Sequence, residues 1–414
     1  MSYLGELRRN IRPLAAASLG SGTGLSLTAY TTSVFAPHIV AEFGWSRSQF
    51  ALVGLMMFAT VIVLPFIGRF TDKLGVRRIA LGGTLLLPLC YFAYSQMQGS
   101  FAVFLLLSGA VLSVGSMSSP LVYSRLIAEN FEKAQGFALT IMNCTPAVVA
   151  MAAVPLLNHV IEIAGWRFTY AAYGVFVLVS GLIAVALIPK GRVAHVELEP
   201  GVNEPDVPGV NEMPRPAKED YRVILRAPVF WIIMVAMFLS MLQTPLHASQ
   251  MNIMLFDQVK STQIAANIVS VYAFGTIIGR IACGLALDRY KTPIVSCISM
   301  GVPALGFLLL ASSFDAVSVV TLAMFLVGVS VGSESDLISF LAARYFKLRI
   351  YSSTLSLFHS CAFLASAAGA GATSLTLKLT DSYVPYLYAV SVTIMIGSVL
   401  FLFMPMSRDC EKVG

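Results

Sequence analysis

The sequence predicts an all-α membrane protein of twelve transmembrane helices, arranged as two pseudo-symmetric six-helix bundles. Three observations carry that prediction. Of 414 residues, 57% are hydrophobic and only 12% charged, about half the charged share of an ordinary soluble domain, and the mean hydropathy is +0.80. Apolar runs of about 20 residues, the length a helix needs to cross hydrocarbon, recur along the whole chain. Finally, a charged turn, Gly68-Arg69-Phe70-Thr71-Asp72-Lys73-Leu74-Gly75-Val76-Arg77-Arg78, has a weaker copy at Gly284-Leu285-Ala286-Leu287-Asp288-Arg289-Tyr290-Lys291. The two aspartates lie 216 positions apart, about half the chain.

The predicted spans are 13–36, 48–70, 79–97, 102–127, 136–160 and 168–189, then 228–254, 263–286, 293–313, 317–343, 353–377 and 385–406. Between the sets lies 190–226, rich in Gly, Pro, Glu and Asn and without periodicity, which reads as a solvated linker lacking fixed structure. The expected units are therefore an N-terminal bundle over 1–189, a linker over 190–226 and a C-terminal bundle over 227–414. A second echo supports the duplication: Phe131 follows the fourth span and Phe346 the tenth, 215 positions apart. Parallel repeats of this kind build transporters with a midplane site between the halves.

With the N-terminus inside, 21 of the 27 Lys and Arg residues fall in cytoplasmic loops, a strong positive-inside bias that puts both termini in the cytoplasm. The expected location is a bacterial inner membrane, crossed many times. The net charge of +6 is thus a property of loops and argues for no nucleic-acid partner. The first apolar run is too long for a cleaved signal peptide and reads as a retained span. Six scattered cysteines, with no C-x-x-C or Cys/His cluster, indicate neither a metal site nor a disulfide framework. No phosphate-binding loop or hydrolase motif occurs, so neither an enzyme nor a cofactor is expected.

The Gly68-to-Arg78 segment resembles the loop 2–3 signature of the major facilitator superfamily, G-x-x-x-D-[RK]-x-G-[RK]-[RK], with Val76 in one basic slot. The second copy keeps Gly284, Asp288 and Arg289 but has Lys291 at the second glycine's place. Three further features resemble the monocarboxylate transporter and oxalate–formate antiporter branch: Phe43-Gly44-Trp45-Ser46-Arg47-Ser48, Gly165-Trp166-Arg167 and Gly279-Arg280-x-x-x-Gly284. The superfamily resemblance implies that the loop bearing Asp72, Arg77, Asp288 and Arg289 biases gating, stabilising the outward-open state.

Arg280 is the principal candidate. It stands eight residues before Asp288, about 12 Å up the helix. An arginine within the bilayer is costly and marks a functional site by default, and its forked donors match a carboxylate bidentately. The resemblance implies that an arginine here binds the substrate carboxylate; the competing structural reading is a permanent ion pair with Glu334. Thr276, one turn earlier, shares its face, either toward a ligand or bonding back to its own helix.

Glu334 and Asp336 are two apart and face different sides of their helix. Glu334 reads as a proton carrier or as a fixed partner of Arg280 or Arg125. Asp336 reads as a gating partner of Arg344 or another loop base. His359 falls where the antiporter carries a second cation, and the resemblance implies a substrate-binding or proton-coupling role. Tyr123 matches a substrate-contacting tyrosine of bacterial monocarboxylate transporters. Arg125 is expected to bridge the cytoplasmic gate to an acid of the other half, and Asn143 to face the lumen.

These readings converge on a monomeric secondary transporter of small organic anions, monocarboxylates or aromatic acids. It would work by alternating access with inward proton symport. The alternatives are an anion exchanger and an importer of a larger compound such as a vitamin or siderophore.

Overall fold

The computed structural model describes residues 3–45, 57–189, 217–248, 250, 251, 254, 255, 262–312 and 316–405. Among them, nine helical stretches are long and apolar enough to cross a membrane. The longest, α8 (Gln135–Leu187), contains two spans, because Gly165 breaks the helix with a φ of 79°, a left-handed value that only glycine adopts without strain. The first span is cut at Gly24 into α2 (Ile11–Thr23) and α3 (Leu25–Phe43). The second, α4 (Met57–Leu74), begins within its expected range, whose first residues lie outside the described ones. Counting these, the described residues hold parts of all twelve predicted spans.

The first half continues with α5 (Val76–Ser95), α6 (Phe101–Gly115) and α7 (Pro120–Asn130). The fourth span is interrupted at Ser119, whose side chain caps α7 while Pro120 fills its first turn, an arrangement that satisfies an otherwise orphaned helix start. The second half contains α10 (Pro228–Met241) and α11 (Thr244–Ala248) in span seven. Then come α12 (Thr262–Arg289), α13 (Thr292–Ala311), α14 (Val317–Tyr345), α15 (Tyr351–Thr380) and α16 (Val384–Leu400).

Two short helices lie outside the spans: α1 (Tyr3–Arg9) before the first and α9 (Ala217–Arg226) before the seventh. The second corrects the expectation of an unstructured 190–226. Asp220 and Ile224, one turn apart, are buried, so this end of the segment docks on the bundles. Its composition, averaged with the polar 190–216, concealed that face.

The packing closes one side of the molecule. The largest apolar core lies toward the face that carries the ends of the linker, here the linker face, and draws from both halves, including Ile67, Phe131, Leu355 and Phe358. The two remaining cores each belong to one half. One gathers Phe35, Trp45, Tyr170 and Tyr173, and the other Phe307, Met324, Leu387 and Ile394. The halves therefore adhere near the linker face and keep separate cores toward the far face.

Within the second half, α12 and α14 touch backbone to backbone. A Cβ on Gly279 would lie 1.9 Å from the Val329 carbonyl oxygen, and one on Gly332 would lie 2.0 Å from that of Thr276. Only residues without a side chain permit this crossing. It sets Arg280 directly against α14.

Candidate functional site

Arg280 sits where the two halves meet. Its Nη1 donates to the carbonyl oxygen of Asn143 on α8, in the other half, and its Nε donates to Gly332 O at 3.2 Å. Among the described residues Arg280 forms no ion pair; the Glu334 carboxylate instead accepts from Gln243 Nε2 at 3.2 Å. The field of Arg280 nevertheless reaches both Glu334 and Asp336. Neutral carbonyls hold the guanidinium, and among the described residues no salt bridge occupies its donors.

Asp336 departs from expectation. Its carboxylate is fully buried and accepts from Asn143 Nδ2 at 2.5 Å, Thr140 Oγ1 at 3.0 Å and Ser335 Oγ at 3.4 Å. Two of these donors come from α8, so its cross-half partners are hydroxyl and amide groups, where a loop base was expected. Helix geometry explains this: Asp336 stands two turns inside the end of α14, out of reach of the loop and level with Thr140 and Asn143. Asn143 serves both sides of the cluster, its amide on Asp336 and its carbonyl under Arg280.

At the linker face, two carboxylates cross between halves in opposite directions. Asp72 of the first half accepts from the backbone N–H groups of Ser352 at 2.9 Å and Ser353 at 2.7 Å, and from Ser353 Oγ at 2.6 Å. Asp288 of the second half accepts from the N–H groups of Gly136 at 2.6 Å and Phe137 at 3.1 Å. Each thus caps the opening turn of a helix in the opposite half, α15 and α8 respectively, where unsatisfied N–H groups and the helix dipole favour an anion. The glycines four positions earlier allow the approach. A Cβ on Gly68 would lie 2.3 Å from Ser352 O, and one on Gly284 2.1 Å from Thr140 Oγ1.

Arg125 also departs from expectation. It pairs with Asp72 and, at 2.6 Å, with Glu129, both acids of its own half, and among the described residues reaches the other half through Ser352 Oγ at 3.5 Å. It therefore holds Asp72 in position; α7 and α4 are neighbours within one bundle, which brings Asp72 nearer than any acid across the interface.

The Major Facilitator Superfamily profile matches residues 17–370. The chain belongs to that superfamily. Among solved structures, the fucose:proton symporter FucP in its outward conformation aligns with a TM-score of 0.75 at 11% identity, covering 97% of this chain and 100% of that one. The proton:xylose symporter XylE gives 0.66 at 12%, with 98% and 96% covered. The human organic anion transporter MFSD10 gives 0.66 at 13%, with 95% and 99% covered. At such identities these likenesses show the shared fold. Comparison of the sequence with curated proteins returned no match.

As a facilitator superfamily member, the chain is a transporter, and the other sequence candidates can be placed within it. Thr276 Oγ1 bonds back to Tyr272 O at 3.1 Å. Tyr123 is fully buried and lines a small cavity inside the first bundle with Gly20, Thr23, Thr84 and Gly181. Its hydroxyl has no partner among the described residues. His359 is half-buried on α15, and its Nε2 likewise has none. Arg77 is half-buried and Arg289 exposed at the linker face.

Two of the three motifs that suggested a monocarboxylate branch, those at Phe43 and at Trp166-Arg167, meet at the far face. Glu42 accepts from Trp166 Nε1 and Arg167 Nη1, both at 2.5 Å, and these bonds lower its carboxyl pKa. Arg167 lies 4.4 Å from the Trp166 ring centroid and 5.7 Å from that of Phe43. This cluster fastens the first span to the sixth within one half.

Thr140, Gln243 and Tyr272 carry no signal that singled them out in the sequence, and His247 reads there as a hydrogen-bonding packing residue. His247 Nδ1 and the Tyr272 hydroxyl are 3.2 Å apart, on the same half as Glu334. A polar side chain in an apolar helix is the available signal, but it occurs in nearly every span and does not say which ones converge.

Proposed function

We propose that this superfamily member is a secondary active transporter of an organic anion, a monocarboxylate or aromatic acid. It works by alternating access and carries a proton inward with its cargo. The observation that carries this reading is Arg280, a permanent cation inside the span, held by the Asn143 and Gly332 carbonyls at the junction of the halves. A charge placed so deep is expensive, and its neutral partners leave a carboxylate as the better ligand.

The remaining roles follow from position. Glu334, anchored by Gln243, and His359 carry the proton; Asn143, Thr276 and Tyr123 shape the path. Asp72, Asp288, Arg125, Asp336, Arg77 and Arg289 govern the gate. Anion entry alone works against an inside-negative potential by about 2.3 kcal/mol per charge per 100 mV, and an accompanying proton removes that cost.

The linker face is cytoplasmic on the charge bias of its loops, both termini lie there, and the membrane is a bacterial inner membrane. The cross-half bonds at that face, with the likeness to FucP in its outward conformation, support an outward-open state. Sugar symporters share this fold too, so the cargo class is argued from Arg280 alone.

A thermal-shift screen of organic acids on purified protein tests the reading. Acids that stabilise wild type are expected to lose their effect on Arg280→Ala. If every hit stabilises the variant equally, the anion reading falls. Uptake that survives a protonophore as counterflow would turn symport into exchange.

A further inference from the structure

The gating carboxylates have company from outside the membrane spans. Tyr3 on α1 belongs to the first half, yet its hydroxyl donates to Asp288 Oδ2 at 2.8 Å. Tyr221 on α9 leads into the second half, yet its hydroxyl donates to Pro65 O at 3.1 Å, on α4 of the first half. Pro65 lies seven residues before Asp72 on the same helix. Each tyrosine therefore bonds across the halves, Tyr3 to a capping carboxylate and Tyr221 to the helix that carries the other.

Each short helix is itself tied down by one acid. Glu6 on α1 accepts from the backbone N–H groups of Glu132 at 2.8 Å, Lys133 at 3.0 Å and Ala134 at 2.9 Å. Asp220 on α9 pairs with Arg69 of α4 and, at 3.6 Å, with Arg349 beside the start of α15. Glu6 and Asp220 are 214 positions apart and Tyr3 and Tyr221 are 218 apart, close to the 216 that separates Asp72 from Asp288. Tyr3 precedes Glu6 by three positions whereas Tyr221 follows Asp220 by one, so the two helices share a place in the fold and not a register. Both are placed to sense whether the halves are together.

We infer that α1 and α9 are a pair of latches, in which Tyr3, bound to the Asp288 carboxylate, and Tyr221, bound across the halves to the helix that carries Asp72, are positioning residues that favour the state closed at the linker face. The inference rests on the gating role proposed above for the two aspartates. When the halves part, Asp288 leaves the start of α8, and Tyr3, carried by α1 with the first half, loses its acceptor. At the second latch α9, joined to α10 through Ala227, moves with the second half, so both the Tyr221 bond to Pro65 and the Asp220 pair with Arg69 are broken. Loss of either hydroxyl therefore weakens the closed state without touching the cargo path.

Hydrogen–deuterium exchange on the full-length protein in nanodiscs, without cargo, reads this directly. The reporters are the amides at 136–137, bound by Asp288, and at 352–353, bound by Asp72. Tyr3→Phe and Tyr221→Phe each remove one oxygen and keep the ring. Each is expected to speed exchange at both reporters by about 3- to 10-fold, the size of one hydrogen bond, because the halves open as a unit. The double variant multiplies the effects. A purely structural contact would alter the near reporter alone, so a change confined to one cap, or none, overturns the inference. Asp288→Asn separates the two claims. If it leaves exchange at 352–353 unchanged, the two caps are not one gate and both claims fall; if it speeds 352–353 while both tyrosine variants match wild type, only the latches fall.

Discussion

Asp72 and Asp288 make the same bond in opposite directions. Each leaves the end of one half and caps a helix of the other, Asp72 at Ser352 and Ser353, Asp288 at Gly136 and Phe137. A single duplicated turn thereby becomes a two-point clasp across the interface.

Replacing Asp72 by Asn keeps the shape but removes the charge that faces Arg125 and the start of α15. Arg125 would remain buried with Glu129 as its acid partner among the described residues. The expected loss to the closed state is about 2 kcal/mol, or some 30-fold in population. Uptake should fall while membrane insertion is unchanged; full uptake at equal surface expression would refute the gating role.

Glycine substitutions should separate gating from stability. Gly136→Ala places a Cβ 2.3 Å from the Gly284 carbonyl, across the halves, whereas Gly279→Ala places one 1.9 Å from the Val329 carbonyl, within one bundle. The first should part the halves at the linker face with little change in Tm. The second should lower Tm through overpacking that costs about 1–3 kcal/mol. Equal Tm losses in both variants would contradict the assignment of these contacts.

Asn143→Ala removes the 2.5 Å donor to Asp336 and leaves a buried carboxylate supported by Thr140 and Ser335. A cost of about 1–3 kcal/mol is expected. Thr140→Val in the same protein should then cost more than it does alone, because both side chains serve one acceptor. Additive losses in thermal unfolding would show that they act separately.

How much of this was legible from the chain can be read from particular residues. The half-chain echo of Asp72 in Asp288 needed only spacing, and the depth of Arg280 needed only the helical rise from Asp288. The pairing of Arg125 with Asp72, 53 positions earlier, was not available from spacing, because it depends on which helices of one bundle lie side by side. The same holds for Asp336, whose neighbours Thr140 and Asn143 are nearly 200 positions away.

The sequence by itself determined the twelve spans, the duplication and the placing of a cation inside the membrane, since these follow from hydropathy, period and rise along one helix. Only the tertiary structure decided that α9 is a helix, that neutral carbonyls hold Arg280, and that the two turns clasp opposite halves. Those outcomes depend on which helix faces which. At the crossings that matter, the choice was made by glycines at 68, 136, 279 and 284, where the absence of a single carbon lets two backbones meet.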